Sequence, residues 1–222
     1  MVITIDGPAG SGKSTVAKEV ARRLGFAFLN TGHMYRAIGL AARRREINLS
    51  NQIELVYVAK HAKIEFDFTK DPPAVVLNGE RVTHLLGSRE VSESASYVAV
   101  VPAIRELLVH QQREIGRKLG NVVTEGRDQG TIVFPKAEFK FFIDALPVER
   151  ARRRFNEHRD RGENVDFYEL YGQIVSRDKR DMERLVGPLE KPKDAIELDT
   201  TYMSFDQVVD QIIGIVSAGK PS

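Results

Sequence analysis

Apolar positions along this chain follow two rhythms, one of short unbroken runs and one of helical recurrence. Residues 2–6 (Val-Ile-Thr-Ile-Asp) form a run that stops at a glycine-rich turn, the pattern of a strand buried in a parallel sheet. Val16, Val20, Ala21 and Leu24 then recur on one face, so a helix is predicted over 13–24 with Gly25 as its stop signal. Residues 26–30 read as a second strand, and 33–45 and 52–61 as helices. From Ile64 the rhythm changes: Ile64, Phe66 and Phe68 alternate with charged residues, and Pro72-Pro73 interrupts them. Val75, Val76 and Leu77 lead into Asn78-Gly79, a strong two-residue hairpin signal, so 63–83 is predicted to be a small antiparallel insert whose phenylalanines pack it. A helical region over 88–119 follows, broken before Pro102. Residues 121–125, 140–144 and 195–198 read as three more buried strands. The highly charged segment 147–184 is predicted to be helical, and an amphipathic helix over 204–216 ends the pattern. Strands alternating with helices imply an α/β sheet covered on both faces.

Composition narrows this picture without changing it. The chain has 222 residues, enough for one domain with embellishments or one domain and a mobile subdomain. With 33 basic and 31 acidic side chains the net charge is only +2, which argues against a nucleic-acid backbone as main partner. The absence of cysteine excludes disulfides and thiolate metal sites. The five histidines have no ligand-like spacing. No basic leader precedes the first strand and no stretch is long enough to span a bilayer, so a cytoplasmic location with no membrane partner is expected.

The chemistry begins at the first turn. Gly7-Pro8-Ala9-Gly10-Ser11-Gly12-Lys13-Ser14 matches G-x-x-x-x-G-K-[ST] at every fixed position, between a strand and a helix as that phosphate-binding loop requires. Its glycines let backbone N–H groups turn inward on a phosphate, and the following helix adds the positive end of its dipole. Lys13 would reach between the β- and γ-phosphates, and the Ser14 hydroxyl would ligate Mg²⁺. A dinucleotide-binding fold is the sharper rival. It requires G-x-G-x-x-G spacing and an acidic residue after the second strand; the glycines here fall at 7, 10 and 12, and Asn30 ends that strand. A GTPase would need Asn-Lys-x-Asp, and a transport ATPase a Ser-Gly-Gly signature. A small-molecule kinase remains.

Three further segments make the pattern specific. They are Leu29-Asn30-Thr31-Gly32-His33-Met34-Tyr35-Arg36, then Glu125-Gly126-Arg127-Asp128-Gln129-Gly130-Thr131, then Ser176-Arg177-Asp178-Lys179-Arg180-Asp181-Met182-Glu183-Arg184 with Pro188-Leu189. With the loop, they resemble the bacterial cytidylate kinases (CMP/dCMP kinases), over essentially the whole chain and including the insert. The resemblance implies a P-loop NTPase three-layer fold: a central five-stranded parallel sheet, a small antiparallel insert in the acceptor-binding region, and a helical lid. One kinase domain would occupy 1–222, with a core (1–32, 120–146, 185–222), an acceptor-nucleotide-binding region (33–119) and a lid (147–184). The implied reaction transfers a phosphoryl group from ATP to CMP or dCMP with Mg²⁺, in a monomer. The alternatives are a kinase for UMP, AMP or a non-nucleotide acceptor, and a P-loop regulatory module that hydrolyses ATP slowly.

By the same resemblance, ATP is held by Gly7, Pro8, Ala9, Gly10, Ser11, Gly12, Lys13, Ser14 and Thr15, with Arg153 from the lid. The acceptor falls to Thr31, Tyr35, Arg36, Ser96, Arg105, Gly126, Arg127, Asp128, Arg177, Asp181 and Arg184. Lys13, Arg127, Arg177 and Arg184 carry the catalytic charge. Arg36 and Arg127 sit just past the carboxyl ends of predicted strands, where ligands bind in open α/β sheets, and the resemblance gives them the acceptor monophosphate, whose oxygens suit a guanidinium fork. Asp128 and Ser96 could accept from the N4 amino group of cytosine, and Arg105 could donate to N3 and O2; a carboxylate facing O4 of uracil would repel it. Arg177, Arg180 and Arg184 stand at helical spacing with Asp178 and Asp181 on a neighbouring stripe, and Arg150, Arg153 and Arg154 read as a second cationic stripe. Position 30 departs from the family's usual aspartate, and His33 from its usual alanine.

Overall fold

The computed structural model describes residues 1–219. Its elements run β1 (Val2–Asp6), α1 (Lys13–Leu24), β2 (Ala27–Asn30), α2 (Thr31–Arg44), α3 (Gln52–His61), β3 (Ile64–Asp67), β4 (Ala74–Leu77) and β5 (Glu80–Arg81), then α4 (Arg89–Val98), α5 (Pro102–Leu119), β6 (Val122–Gly126), β7 (Phe139–Asp144), α6 (Pro147–Asp160), α7 (Phe167–Glu183), β8 (Ile196–Asp199) and α8 (Phe205–Ser217). The large sheet is parallel and ordered β2-β6-β1-β7-β8, and a separate three-stranded sheet is ordered β3-β4-β5. The expected α/β architecture with five parallel strands and an antiparallel insert is present. No helix among the described residues is long and apolar enough to cross a membrane.

The chain divides into two compact units, one of Met1–Phe26 with Asn121–Ser222 and the other of Ala27–Gly120. In the first, β1 lies between β6 and β7, pairing Asp6 with Gly126 and with Phe142. A central strand flanked on both sides is buried on both faces, so Ile3 and Ile5 are fully inaccessible and so are Thr4 and Asp6. Gly25 ends α1 in the left-handed region (φ 66°). α8 opens with a complete capping box between Ser204 and Gln207.

In the second unit, Met34, Ile38, Leu55, Leu77, Leu86 and Leu108 form one apolar core under α2, α3, α5 and the small sheet. Gly39 permits the tight approach of α2 to α4: a Cβ there would lie 2.9 Å from Ser94 Cβ. The hairpin turns at Asn78 and Gly79, both at positive φ, as its sequence requires. Phe66 and Phe68 stack at 5.7 Å within the insert. Asn30 accepts from the His33 N–H and caps α2, so position 30 serves the helix start without a carboxylate.

Two local expectations need correction. The charged segment is not one helix, because it breaks at 161–166, where Asp166 caps α7 by accepting from Glu169 N–H. The stripe of Arg177, Arg180 and Arg184 does not lie on one helix either. α7 ends at Glu183, and Arg184 has turned to extended backbone (φ −66°, ψ 140°). A side chain beyond the last turn is aimed by its loop rather than by helical spacing.

Candidate active site

The phosphate loop occupies residues 7–12, between β1 and α1. Gly7 has no room for a side chain, since a Cβ would sit 2.1 Å from the carbonyl oxygen of Ile143. Gly10 and Gly12 have φ of 76° and 84°, a region that side chains disfavour and that turns successive N–H groups to one side.

Lys13 opens α1 and folds back over the loop, its Nζ donating to the Pro8 carbonyl at 3.1 Å. The same Nζ stands 3.9 Å from Glu125 Oε2, with both side chains buried. Burial pushes the Lys13 ammonium down from 10.5 to about 7; the Arg127 charge adds to this, and Glu125 opposes it. The Ser14 hydroxyl donates to Glu125 Oε1 at 2.7 Å. Glu125 thus joins Lys13 and Ser14, the first two residues of the helix behind the loop, a role that sequence reading missed. The only signal was its place at the end of a buried strand; the pairing with Ser14 and Lys13 comes from β6 lying beside β1.

Beyond Glu125 the chain turns through Arg127 and Asp128 into a π-helical turn over Gln129–Val133. Asp6 anchors that turn: its two carboxylate oxygens accept from the Gln129 N–H at 2.9 Å and the Gly130 N–H at 2.7 Å. Burial raises the Asp6 carboxyl to about 7 against the pull of those two N–H groups. Gly130 fits because a Cβ there would meet Pro192 Cγ at 2.8 Å and Thr4 Oγ1 at 3.0 Å.

Four of the expected site residues meet beside this turn. Arg127 Nε donates to Asp181 Oδ2 at 2.8 Å. Arg184 places Nη1 3.8 Å from Asp181 Oδ1 and Nη2 3.9 Å from Asp128 Oδ1. Burial alone would raise the Asp181 carboxyl, but the charges of Arg127, Arg177 and Arg184 outweigh it and hold it below the ordinary value. Burial works against the Arg127 charge, and Asp181 and Glu125 override it, so its guanidinium is held above its ordinary value. Arg177 is half-buried on α7 and Arg180 is exposed. Arg153 reaches the loop directly, with Nη1 on the Ser11 carbonyl at 3.4 Å and on Thr200 Oγ1 at 3.2 Å. Arg150 is not part of an exposed stripe; it is 4% exposed and faces the loop. Thr15 is exposed.

The remaining expected residues belong to the Ala27–Gly120 unit. Tyr35 and Arg105 are together there, the guanidinium carbon 5.5 Å from the ring centroid. Arg105 is 2% exposed and donates from Nη1 to the Ala99 carbonyl at 3.2 Å. Ser96 lies half-buried on α4, its hydroxyl 3.5 Å from the Ser92 carbonyl oxygen. Thr31 is buried at the start of α2, and Arg36 is half-buried on the same helix.

Comparison with known proteins gives the family. A family model described as "Cytidylate kinase" matches residues 3–218. The chain is 46% identical over 214 residues to a cytidylate kinase of Anoxybacillus flavithermus, covering 96% of this chain and 95% of that protein. It is 42% identical over 218 residues to one of Pseudomonas savastanoi pv. phaseolicola, covering 97% and 95%. Among solved structures, a shikimate kinase of Bacteroides thetaiotaomicron aligns with a TM-score of 0.50 at 13% identity, covering 98% of each chain. An uncharacterized protein of Eubacterium ventriosum aligns at 0.53 and 12%, covering 98% and 99%. Those two likenesses concern the fold alone. The family model over residues 3–218 and the near-full-length relatives lead to one statement: this chain belongs to the cytidylate kinase family.

Proposed function

We propose that this protein transfers the γ-phosphoryl group of ATP to CMP or dCMP, giving ADP and CDP or dCDP. The match to cytidylate kinases over nearly the whole chain carries the reading. A monophosphate is already an anionic nucleophile, so the protein's task is to bring two polyanions together and neutralise them during in-line transfer. The loop N–H groups and Lys13 are assigned to the β- and γ-phosphates. Arg127, Arg177 and Arg184 are assigned to the transferring group and the acceptor phosphate. In the free protein Asp181 holds Arg127, which keeps that half-buried cation available without leaving it unpaired.

Base and sugar recognition are assigned to Tyr35, Ser96, Arg105, Asp128 and Asp181, and Arg36 joins Arg127 on the acceptor phosphate. Arg105 would donate to N3 and O2 of cytosine and Asp128 accept from N4, which disfavours uracil. Arg153, already on the Ser11 carbonyl, is assigned to ATP. Ser14 and Glu125 bring a hydroxyl and a carboxylate oxygen within 2.7 Å of each other. Two hard oxygens beside a phosphate loop fit Mg²⁺, and Ser14 and Glu125 would hold it there. The ion would neutralise β- and γ-oxygens. A cytoplasmic monomer is the proposed state, with the segments 33–119 and 147–184 as acceptor region and lid.

ADP release measured with a panel of acceptors tests the whole reading. Release that requires CMP or dCMP, with UMP and AMP well behind, is the expected result. Equal rates with any acceptor, or slow release without one, would replace the kinase by another small-acceptor enzyme or by a nucleotide-hydrolysing module.

A further inference from the structure

Ala9, inside the phosphate loop, has both backbone polar groups held by side chains from far along the chain. Its N–H donates to Asp178 Oδ1 at 3.2 Å, and its carbonyl accepts from Arg150 Nη1 at 2.9 Å. The two side chains bind each other as well, Arg150 Nη1 to Asp178 Oδ2 at 2.5 Å. Arg150 Nε donates to the Ala145 carbonyl at 2.8 Å, which roots it at the end of β7. Arg150 is 4% and Asp178 7% exposed, so neither is a solvated surface charge. The next loop residue packs on the same pair of helices: a Cβ on Gly10 would lie 3.4 Å from Arg150 Cβ and 3.6 Å from Ile174 Cδ1.

A loop peptide, an α6 side chain and an α7 side chain therefore close a hydrogen-bonded ring. As a stability device such a pair is weak, because apolar side chains of similar volume often replace a buried ion pair without loss. As a geometric device it is strong, since both partners of Ala9 are charged and both are fixed by further bonds. The peptides that follow turn through positive φ at Gly10 and Gly12, and a glycine-rich loop left untethered must be ordered when its ligand arrives.

We propose that Arg150 and Asp178 are positioning residues for the nucleotide donor. By fixing both sides of the Ala9 peptide they preset the N–H groups that follow it for the phosphates. They also tie that geometry to α6 and α7, the helices that carry Arg153, Arg177 and Asp181. Neither residue needs to touch the nucleotide. The inference rests on the phosphate loop being the donor site and goes beyond it by naming what holds the loop in shape.

The test is calorimetric binding of ADP, without any acceptor, to the wild type, Arg150→Met, Asp178→Asn and the double variant. KM values for ATP and CMP are measured in parallel, and thermal melting confirms folding. Either single change is expected to weaken ADP binding and raise KM for ATP about tenfold, the scale of one charge-assisted hydrogen bond. The double variant should be scarcely worse than either single, because one change already opens the ring. KM for CMP should change less than about twofold, and Arg150→Lys should recover part of the ADP affinity. Wild-type ADP affinity in folded variants, equal shifts in both KM values, or fully additive single effects would each overturn the proposal. If Arg150→Met does not fold, Asp178→Asn carries the same test, since it keeps an acceptor for Ala9 and loses only the charge. A wild type that fails to bind ADP would sink the donor-site reading instead. A wild type that binds ADP but ignores CMP would sink only the acceptor assignment.

Discussion

The two units of this protein bury their interiors differently. In the unit built on β1, β6, β7 and β8, Asp6, Lys13, Glu125, Asp128, Lys140, Arg150 and Asp178 are all buried. Most are held by one another or by backbone: Lys13 by Glu125, Arg150 by Asp178, Asp6 by two N–H groups. In the Ala27–Gly120 unit the core is apolar, and Arg105 is the one charged side chain counted as buried among the described residues. A phosphate site must hold cations close together in the absence of substrate, and carboxylates make that tolerable. On the proposed assignment, the second unit gives a neutral base only one or two polar groups, standing on an apolar support. Chemistry and stability are therefore entangled in the first unit and nearly separable in the second.

The largest effect should come where a cation has no substitute. Lys13→Ala should lower kcat roughly 10²–10³-fold with the melting temperature little changed, as steady-state rates and calorimetry would show. Turnover near the wild-type rate would break the assignment of the loop. Next is Arg105→Met, which keeps most of the volume. KM for CMP should rise about 10–100-fold, with KM for ATP and stability hardly altered, as expected when a polar anchor is lost from an apolar support. A marked loss of stability there would remove the contrast between the units.

Arg127→Met should behave in the opposite sense. It strips Asp181 of a cation hydrogen-bonded at 2.8 Å, so besides its kinetic effect it should cost about 3 kcal/mol in denaturant unfolding. Adding Asp181→Asn should restore part of that stability without restoring activity. The pH dependence is subtler. Lys13 titrates near 7 in the free protein, and a polyphosphate favours its charged form, so ADP binding above pH 7 should take up protons. Affinity should fall as pH rises through that range, up to about tenfold per unit. Calorimetry in buffers of different ionisation heat reads the uptake, which Lys13→Ala should abolish. The smallest change is Asn30→Ala, which removes the cap of α2 and should cost about 1 kcal/mol in stability, leaving KM for ATP alone.

Much of this was legible in advance because the signals are local. The loop 7–14 is a contiguous word whose meaning depends on a strand before it and a helix after it, and both are present. The Asn78-Gly79 turn and the break before Pro102 were likewise set by the backbone preferences of single residues. Charged helices were harder to read. Spacing placed Arg150 and Arg153 on a cationic stripe, but α6 turns Arg150 inward to the Ala9 carbonyl. The break at 161–166 and the end of α7 at Glu183 are not legible in the sequence for the same reason: a charged segment carries little apolar periodicity to mark its limits.

The sequence by itself determined the phosphate loop, the alternation of strands and helices, the hairpin insert and the family, because each depends on neighbours within a few positions or on a pattern spread over the whole length. Only the tertiary structure decided which charges meet. Ser14 and Glu125 are 111 positions apart, Ala9 and Asp178 169, and Arg127 and Asp181 54. Nothing in the identity of a carboxylate names its partner at such distances. The order of strands in the sheet and the packing of α6 and α7 bring the pairs together, and burial makes each pairing necessary.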